Sequence, residues 1–265
     1  KLKGGHKHLD GTAIPAGDIA KVNAEPFQVD YATLLDRYEE NWSPRTSAFF
    51  LRFNGDVAPE KAGTFLFFEA DGGKRVAART ERATFARLKQ PGYLGSSWSE
   101  RFARRLDPSL PRPEATPETE LPNGLVVTPL QALPEGANWR LAMLNGLPDA
   151  SGKAKFTTDS TRFIGNVDPL KVDSLVARTM ADAPRRIVAD FNLRLPVDFP
   201  ESLVTIEPKP ENFRIEVRND ELHLLGDFSK HDQWHVSLAA GLASQDGRAL
   251  KEAVAKQLVF TPLQP

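Results

Sequence analysis

The residues whose types and spacing point toward chemistry are five histidines and one cluster of arginines with aromatics. His6 and His8 form a His-x-His pair, a spacing that suits two ligands of one metal ion. No carboxylate cluster lies near them in sequence, so they read as part of a solvated tail. His223, His231 and His235 fall on or beside predicted strands. His223 and His235 would bring two imidazoles together if their strands were adjacent, but surface strand positions account for them more simply. Arg101, Arg104 and Arg105 stand beside Trp98 and Phe102, a combination that elsewhere binds single-stranded nucleic acid. Here the aromatics share the helical face opposite most of the arginines, so packing inside with charge outside is the simpler reading. Asp107 and nearby glutamates offset the charge.

The remaining catalytic signatures are missing. There is no Gly-x-Ser-x-Gly elbow and no Gly-rich phosphate loop. The carboxylates are scattered, so no general acid–base pair stands out. Cys is absent, which excludes a disulfide framework, a thiolate metal site and a Cys nucleophile. The sequence therefore predicts no catalytic, cofactor-binding or metal-binding residues and no enzyme. A formal net charge of -1 gives no reason to expect nucleic acid as a partner. No apolar run approaches the length that spans a bilayer, so a soluble chain without direct membrane insertion is expected. The sequence starts at Lys1 with neither Met nor a signal peptide, and it reads as a piece of a longer polypeptide.

What must position any site is legible from a repeat. Trp139-Arg140-Leu141-Ala142-Met143-Leu144-Asn145-Gly146-Leu147 matches Trp234-His235-Val236-Ser237-Leu238-Ala239-Ala240-Gly241-Leu242, and Gly152 matches Gly247, without a gap. Each copy is an alternating strand, a Gly-Leu turn and a polar tip, one supersecondary unit used twice. Trp139 and Trp234 are expected to anchor two cores, with a carbohydrate-stacking role as the alternative. Upstream, the strand ending in Phe53-Asn54 resembles the one ending in Phe191-Asn192. These Phe-Asn pairs are 138 residues apart and the tryptophans 95, so the first module carries about 43 extra residues. They are assigned to 79–122, a stretch rich in Pro and charge that shows no period-2 alternation. Long surface insertions of this kind cost little closure entropy.

The reading along the chain is a tail over 1–21, an Ig-like sandwich over 22–168 with the insertion 79–122, and a second sandwich over 169–265. Tyr31 to Trp42 is predicted as a short helix, because Leu34, Tyr38 and Trp42 have i, i+4 spacing. Strands are predicted at 47–53, 64–68, 125–128 and 139–144, with a turn at Asp71-Gly72-Gly73. Within the insertion, Trp98, Phe102 and Leu106 line one stripe of a predicted helix that folds back on the first module. Asp107 to Pro122, with five prolines, is read as irregular. Six strands are predicted in the second module, at 187–191, 203–206, 213–217, 222–225, 235–239 and 258–260. Short strands at such intervals with turn signals between them indicate an all-β sandwich. Phe53, Phe191, Leu141 and Val236 are expected to point into the cores. The junction at 168–172 is short enough to keep the modules in contact.

Residues Val204-Thr205-Ile206-Glu207-Pro208, Leu222-His223-Leu224-Leu225-Gly226-Asp227-Phe228 and 240–250, with Gly241-Leu242 and Asp246-Gly247, resemble the amino-terminal Ig-like domains of bacterial alpha-2-macroglobulins. The first module is similar to bacterial Ig-like domains that precede or replace the first macroglobulin domain. The resemblance covers roughly 45–80 and 123–265. It implies a periplasmic or cell-envelope location, downstream domains of the same polypeptide as partners, and proteases met by the full-length inhibitor. The family's thioester motif, Cys-x-Glu-Gln, has no counterpart in a chain without Cys, and no bait region stands out. The expected function is thus a non-catalytic scaffold. A carbohydrate-binding or adhesive Ig-like module of a larger cell-envelope protein is the alternative.

Overall fold

In the computed structural model, residues 26–37, 42–88, 118–180 and 183–261 are described. Fourteen strands form two sandwiches of seven. In the first, the strands are β1 (Val29–Leu35), β2 (Ala48–Phe53), β3 (Leu66–Glu69), β4 (Arg75–Thr84), β5 (Glu120–Pro129), β6 (Gly136–Met143) and β7 (Ser160–Val167). In the second they are β8 (Val172–Met180), β9 (Ala183–Phe191), β10 (Val204–Glu207), β11 (Glu211–Arg218), β12 (Glu221–Asp227), β13 (Gln233–Leu238) and β14 (Val254–Val259). The second sandwich pairs β11-β12-β9-β8 in one sheet and β10-β13-β14 in the other. That is the seven-strand immunoglobulin order. The first sandwich has the same order, β1-β2-β5-β4 and β3-β6-β7, except that β4 joins the two halves into one folded sheet. Its residues Arg75 to Ala77 pair with β3, and Ala78 to Thr84 pair with β5.

Alternation sends every second residue of each sheet inward. Phe53, Leu141, Phe191 and Val236 are all buried as expected, in two separate cores. The tryptophans occupy equivalent places in β6 and β13, with 0% and 1% of their surface exposed. Each indole N–H finds a nearby carbonyl, Pro134 at 3.0 Å and His231 at 3.1 Å. Beyond them, Gly146 and Gly241 have φ of 83° and 84°, where a side chain would strain the backbone. Gly146 N–H donates to the Phe156 carbonyl, and Gly241 N–H to that of Leu250. The repeat is therefore a repeat of hydrogen bonds as well as of letters.

The Phe-Asn landmarks are duplicated just as closely. Asn54 accepts from the Gln28 N–H and donates to the Pro26 carbonyl, each at 3.0 Å. Asn192 accepts from the Lys171 N–H at 2.8 Å and donates to the Pro169 carbonyl at 3.0 Å. Each Asn thus ties the entry of its module's first strand to the end of the second. With two bonds worth about 0.5–1.5 kcal/mol each, Asn192→Ala is expected to cost about 1–2 kcal/mol in denaturant melts. A loss confined to a few tenths would mean that water replaces both bonds.

Three expectations are corrected. Residues 29–35 form a strand, paired antiparallel with β2 from Tyr31↔Arg52 to Leu35↔Ala48, where a helix over 31–42 was predicted. The i, i+4 spacing of Leu34, Tyr38 and Trp42 was a coincidence of apolar positions, and Tyr38 lies outside the described residues. The strands β7 and β8 had not been predicted at all. The signal for β1 and β8 was a second repeat: Pro26-Phe27-Gln28-Val29-Asp30 matches Pro169-Leu170-Lys171-Val172-Asp173. The third correction concerns 79–122, which does not lack alternation throughout. Strand β4 runs to Thr84 and β5 begins at Glu120. Its alternation escapes notice because Ala78 and Thr80 alternate with Arg79 and Glu81, so small residues take the place of large apolar ones.

The insertion proper leaves from Thr84 and returns at Glu120, where the Phe85 N–H still donates to the Thr119 carbonyl at 3.2 Å. Its first turn, α1 (Phe85–Leu88), buries Phe85 and Leu88 with Phe50, Val126 and Leu121 in a third apolar cluster. The predicted stripe of Trp98, Phe102 and Leu106 lies outside the described residues, as do Arg101, Arg104, Arg105, His6 and His8.

Candidate functional site: the junction of the sandwiches

The histidines do not assemble. His223 is on β12 and His235 on β13, in different sheets, so their strands are not neighbours. Nor is His223 a surface residue, as predicted: it is only 2% exposed, on the face of β12 opposite the core residues Leu222 and Leu224. Across the sheet it pairs with Val188 and Glu216, and its Nε2 lies 2.7 Å from the Glu221 carboxylate. His231 packs edge-on against Trp234. Among the described residues no three His, Asp or Glu side chains are grouped as a metal site.

A dense polar constellation lies where the sandwiches meet. The tip between β13 and β14 carries Ser244-Gln245-Asp246-Gly247-Arg248, the counterpart of Asp149-Ala150-Ser151-Gly152-Lys153 in the first repeat. In both tips the first side chain accepts from the N–H of the fifth residue, Asp149 from Lys153 at 2.9 Å and Ser244 from Arg248 at 3.0 Å. In both, the first and third side chains also bond each other. The loop is closed the same way, but carboxylate and hydroxyl have changed places.

That exchange puts the Asp246 carboxylate where it joins the modules. Arg248, 7% exposed, donates to it through Nε at 3.0 Å and Nη2 at 2.7 Å, a two-pronged ion pair. The Arg248 Nη1 donates to the Asp168 carbonyl of the linker at 3.0 Å. From the first sandwich, the Ser43 hydroxyl donates to Asp246 Oδ2, and Arg45 Nη1 donates to the Asp246 carbonyl. Arg45 also holds its own module, through Nε to the Leu133 carbonyl at 3.2 Å. The short 3-10 turn Pro44–Thr46 presents these groups, its first N–H capped by Ser43. Lys251 and Glu135 form a further ion pair across the junction. The linker is docked as well: Leu170 is buried in the second core and bridges Leu250.

Partial burial pushes the Asp246 carboxyl up. The hydrogen bonds from Arg248, Ser43 and Ser244, with the Arg248 charge, outweigh it and hold the group at about 2. The carboxylate is therefore ionised at any ordinary pH.

Sequence reasoning missed Ser43, Arg45, Asp246 and Arg248 as a group. The available signal was the exchange of Asp and Ser between otherwise matching tips. No protein-family model matches this chain, and no curated protein is significantly similar to it.

Proposed function

We propose that the chain is a non-catalytic scaffold whose two Ig-like sandwiches hold attached segments in a fixed relative orientation. The observation that carries this reading is the Ser43–Arg45–Asp246–Arg248 junction, where Ser43 and Arg45 of the first sandwich bond the carboxylate and the carbonyl of Asp246, and Arg248 ties that carboxylate to the linker. A freely swinging pair of domains has no use for a half-buried ion pair, whose desolvation is costly unless geometry is held. The resemblance of the second sandwich to alpha-2-macroglobulin domains supplies the context. In that context the chain is the amino-terminal part of a bacterial protease inhibitor of the periplasm or cell envelope, positioning downstream domains that meet the protease. The carbohydrate-binding alternative loses its obvious stacking platforms, because Trp139 and Trp234 are both buried.

The test is to incubate the purified chain with a panel of proteases and follow activity on large substrates, together with covalent adducts. The expected outcome is neither inhibition nor adduct. Stoichiometric inhibition by this chain alone would overturn the scaffold reading, and specific retention on a glycan array would favour the carbohydrate one.

A further inference from the structure

The two sandwiches differ at one edge. In the first, the turn at Asp71–Gly73 folds β4 back antiparallel along β3, pairing Phe67↔Ala77, Phe68↔Val76 and Glu69↔Arg75. Val76 enters the core there, while Arg75 lies over the Phe67 ring and pairs with Glu69 at 3.4 Å. Strand β10 is the counterpart of β3, residue for residue. Leu66, Phe67, Phe68 and Glu69 face Met143, Ala142, Leu141 and Arg140 of β6, as Val204, Thr205, Ile206 and Glu207 face Leu238, Ser237, Val236 and His235 of β13.

Nothing pairs with the other edge of β10 among the described residues. After Glu207 the chain runs Pro208-Lys209-Pro210, with two residues that have no N–H to give a ladder. Pro210 packs on Gly226 of β12, where an added Cβ would come within 3.0 Å of its ring, so the chain is led across to the other sheet. Beside the vacant edge lies a groove of about 410 Å³, lined by Val204, Thr205, Ile206, Phe213, Lys209 and Glu201 among others.

The backbone there is oriented for pairing. The Ala239 N–H donates to the Leu203 carbonyl, so Leu203, Thr205 and Glu207 turn their polar groups toward β13. The N–H and C=O of Ile206 consequently face the open edge. In the first sandwich the Ala70 N–H donates to the Lys74 carbonyl, which by the same alternation makes Phe68↔Val76 a hydrogen-bonded pair.

We infer that the β10 edge is a strand-addition site for an extended peptide of a partner protein that carries a basic residue followed directly by a β-branched apolar one. The peptide lies antiparallel to β10, its apolar residue opposite Ile206 and its basic residue opposite Glu207. Main-chain bonds to Ile206 supply affinity, and the groove and the Glu207 carboxylate supply selectivity. Pro208 and Lys209 follow β10, so neither lies within Val204 to Glu207, where the peptide pairs.

The probe is a synthetic peptide of Gly73 to Thr80, the segment that fills this position in the first sandwich, added to the full chain and followed by amide NMR. The expected result is a shift of the Val204 to Glu207 resonances and at least tenfold slower exchange of the Ile206 amide. A peptide with Val76→Asp should not bind. Glu207→Arg in the chain should weaken binding about two- to fivefold, and Arg75→Glu in the peptide should restore it. The inference is overturned if millimolar peptide leaves β10 unmoved, if a scrambled peptide binds equally, or if the shifts are confined to β3. Broadening of β10 signals with chain concentration alone would show a second copy on the edge, and would equally overturn the partner-peptide assignment.

Discussion

Trp234→Ala is expected to destabilise the second sandwich by about 3–5 kcal/mol, the range for removing a buried aromatic side chain. The indole is buried at the centre of a ring cluster, edge-on to Phe228 at 4.8 Å between centroids, with Phe260 5.3 Å beyond Phe228. Truncation leaves those rings facing a void and strands the His231 carbonyl that the indole N–H satisfies. A domain of this size is stable by only about 5–15 kcal/mol, so one substitution removes a large share. Chemical denaturation followed by far-UV dichroism measures it, and a loss below about 1 kcal/mol would contradict the packing described. Trp139→Ala should act alike in the first sandwich, where Gly136 leaves room for the indole: a Cβ there would lie 2.9 Å from Trp139 Nε1.

The expected symmetry of those two substitutions follows from what the sequence displays openly. A large apolar anchor and glycines with φ near 80° cannot be exchanged freely, so the geometry leaves a mark in the letters. The all-β sandwich class was foreshadowed by that mark and by regular turns. Strands β1, β4, β7 and β8 were not predicted; in β1, β4 and β8, inward positions such as Ala32, Ala78 and Ala177 carry little hydrophobic contrast. The Pro-x-x-Val-Asp repeat at β1 and β8 would have found two of them. The junction was less legible still. Ser43 and Asp246 are 203 residues apart, and no local period encodes a bond over that distance. Only comparing the two tips position by position exposes the displaced carboxylate.

Asp246→Ala is the second large effect expected, a loss of about 2–3 kcal/mol together with freed motion between the sandwiches. Removing one partner of a buried ion pair costs about 3–5 kcal/mol, and partial exposure of this carboxylate lowers that figure. Arg248 would keep only the Asp168 carbonyl, and Ser43 would lose its acceptor. The pH dependence has a definite sign. The folded carboxyl sits at about 2 against an ordinary 3.8, so its contribution is complete above about pH 4 and is lost as pH falls toward 2. Screening by solvent limits that contribution to roughly 1–2 kcal/mol. Denaturant melts at pH 6 and pH 2.5 should therefore separate parent from variant widely at the higher pH and less at the lower. Because Asp246 also closes its own loop, Arg45→Ala is the variant that isolates the junction. It removes the bond to the Asp246 carbonyl and one side-chain bond to the Leu133 carbonyl, while the main-chain bond from the Leu133 N–H to residue 45 stays, so each sandwich should keep its own fold. Small-angle scattering or residual dipolar couplings should then show a broadened range of orientations. An unchanged orientation in both variants would mean that the linker and the Lys251–Glu135 pair suffice, and that the carboxylate does not set the geometry on which the scaffold reading depends.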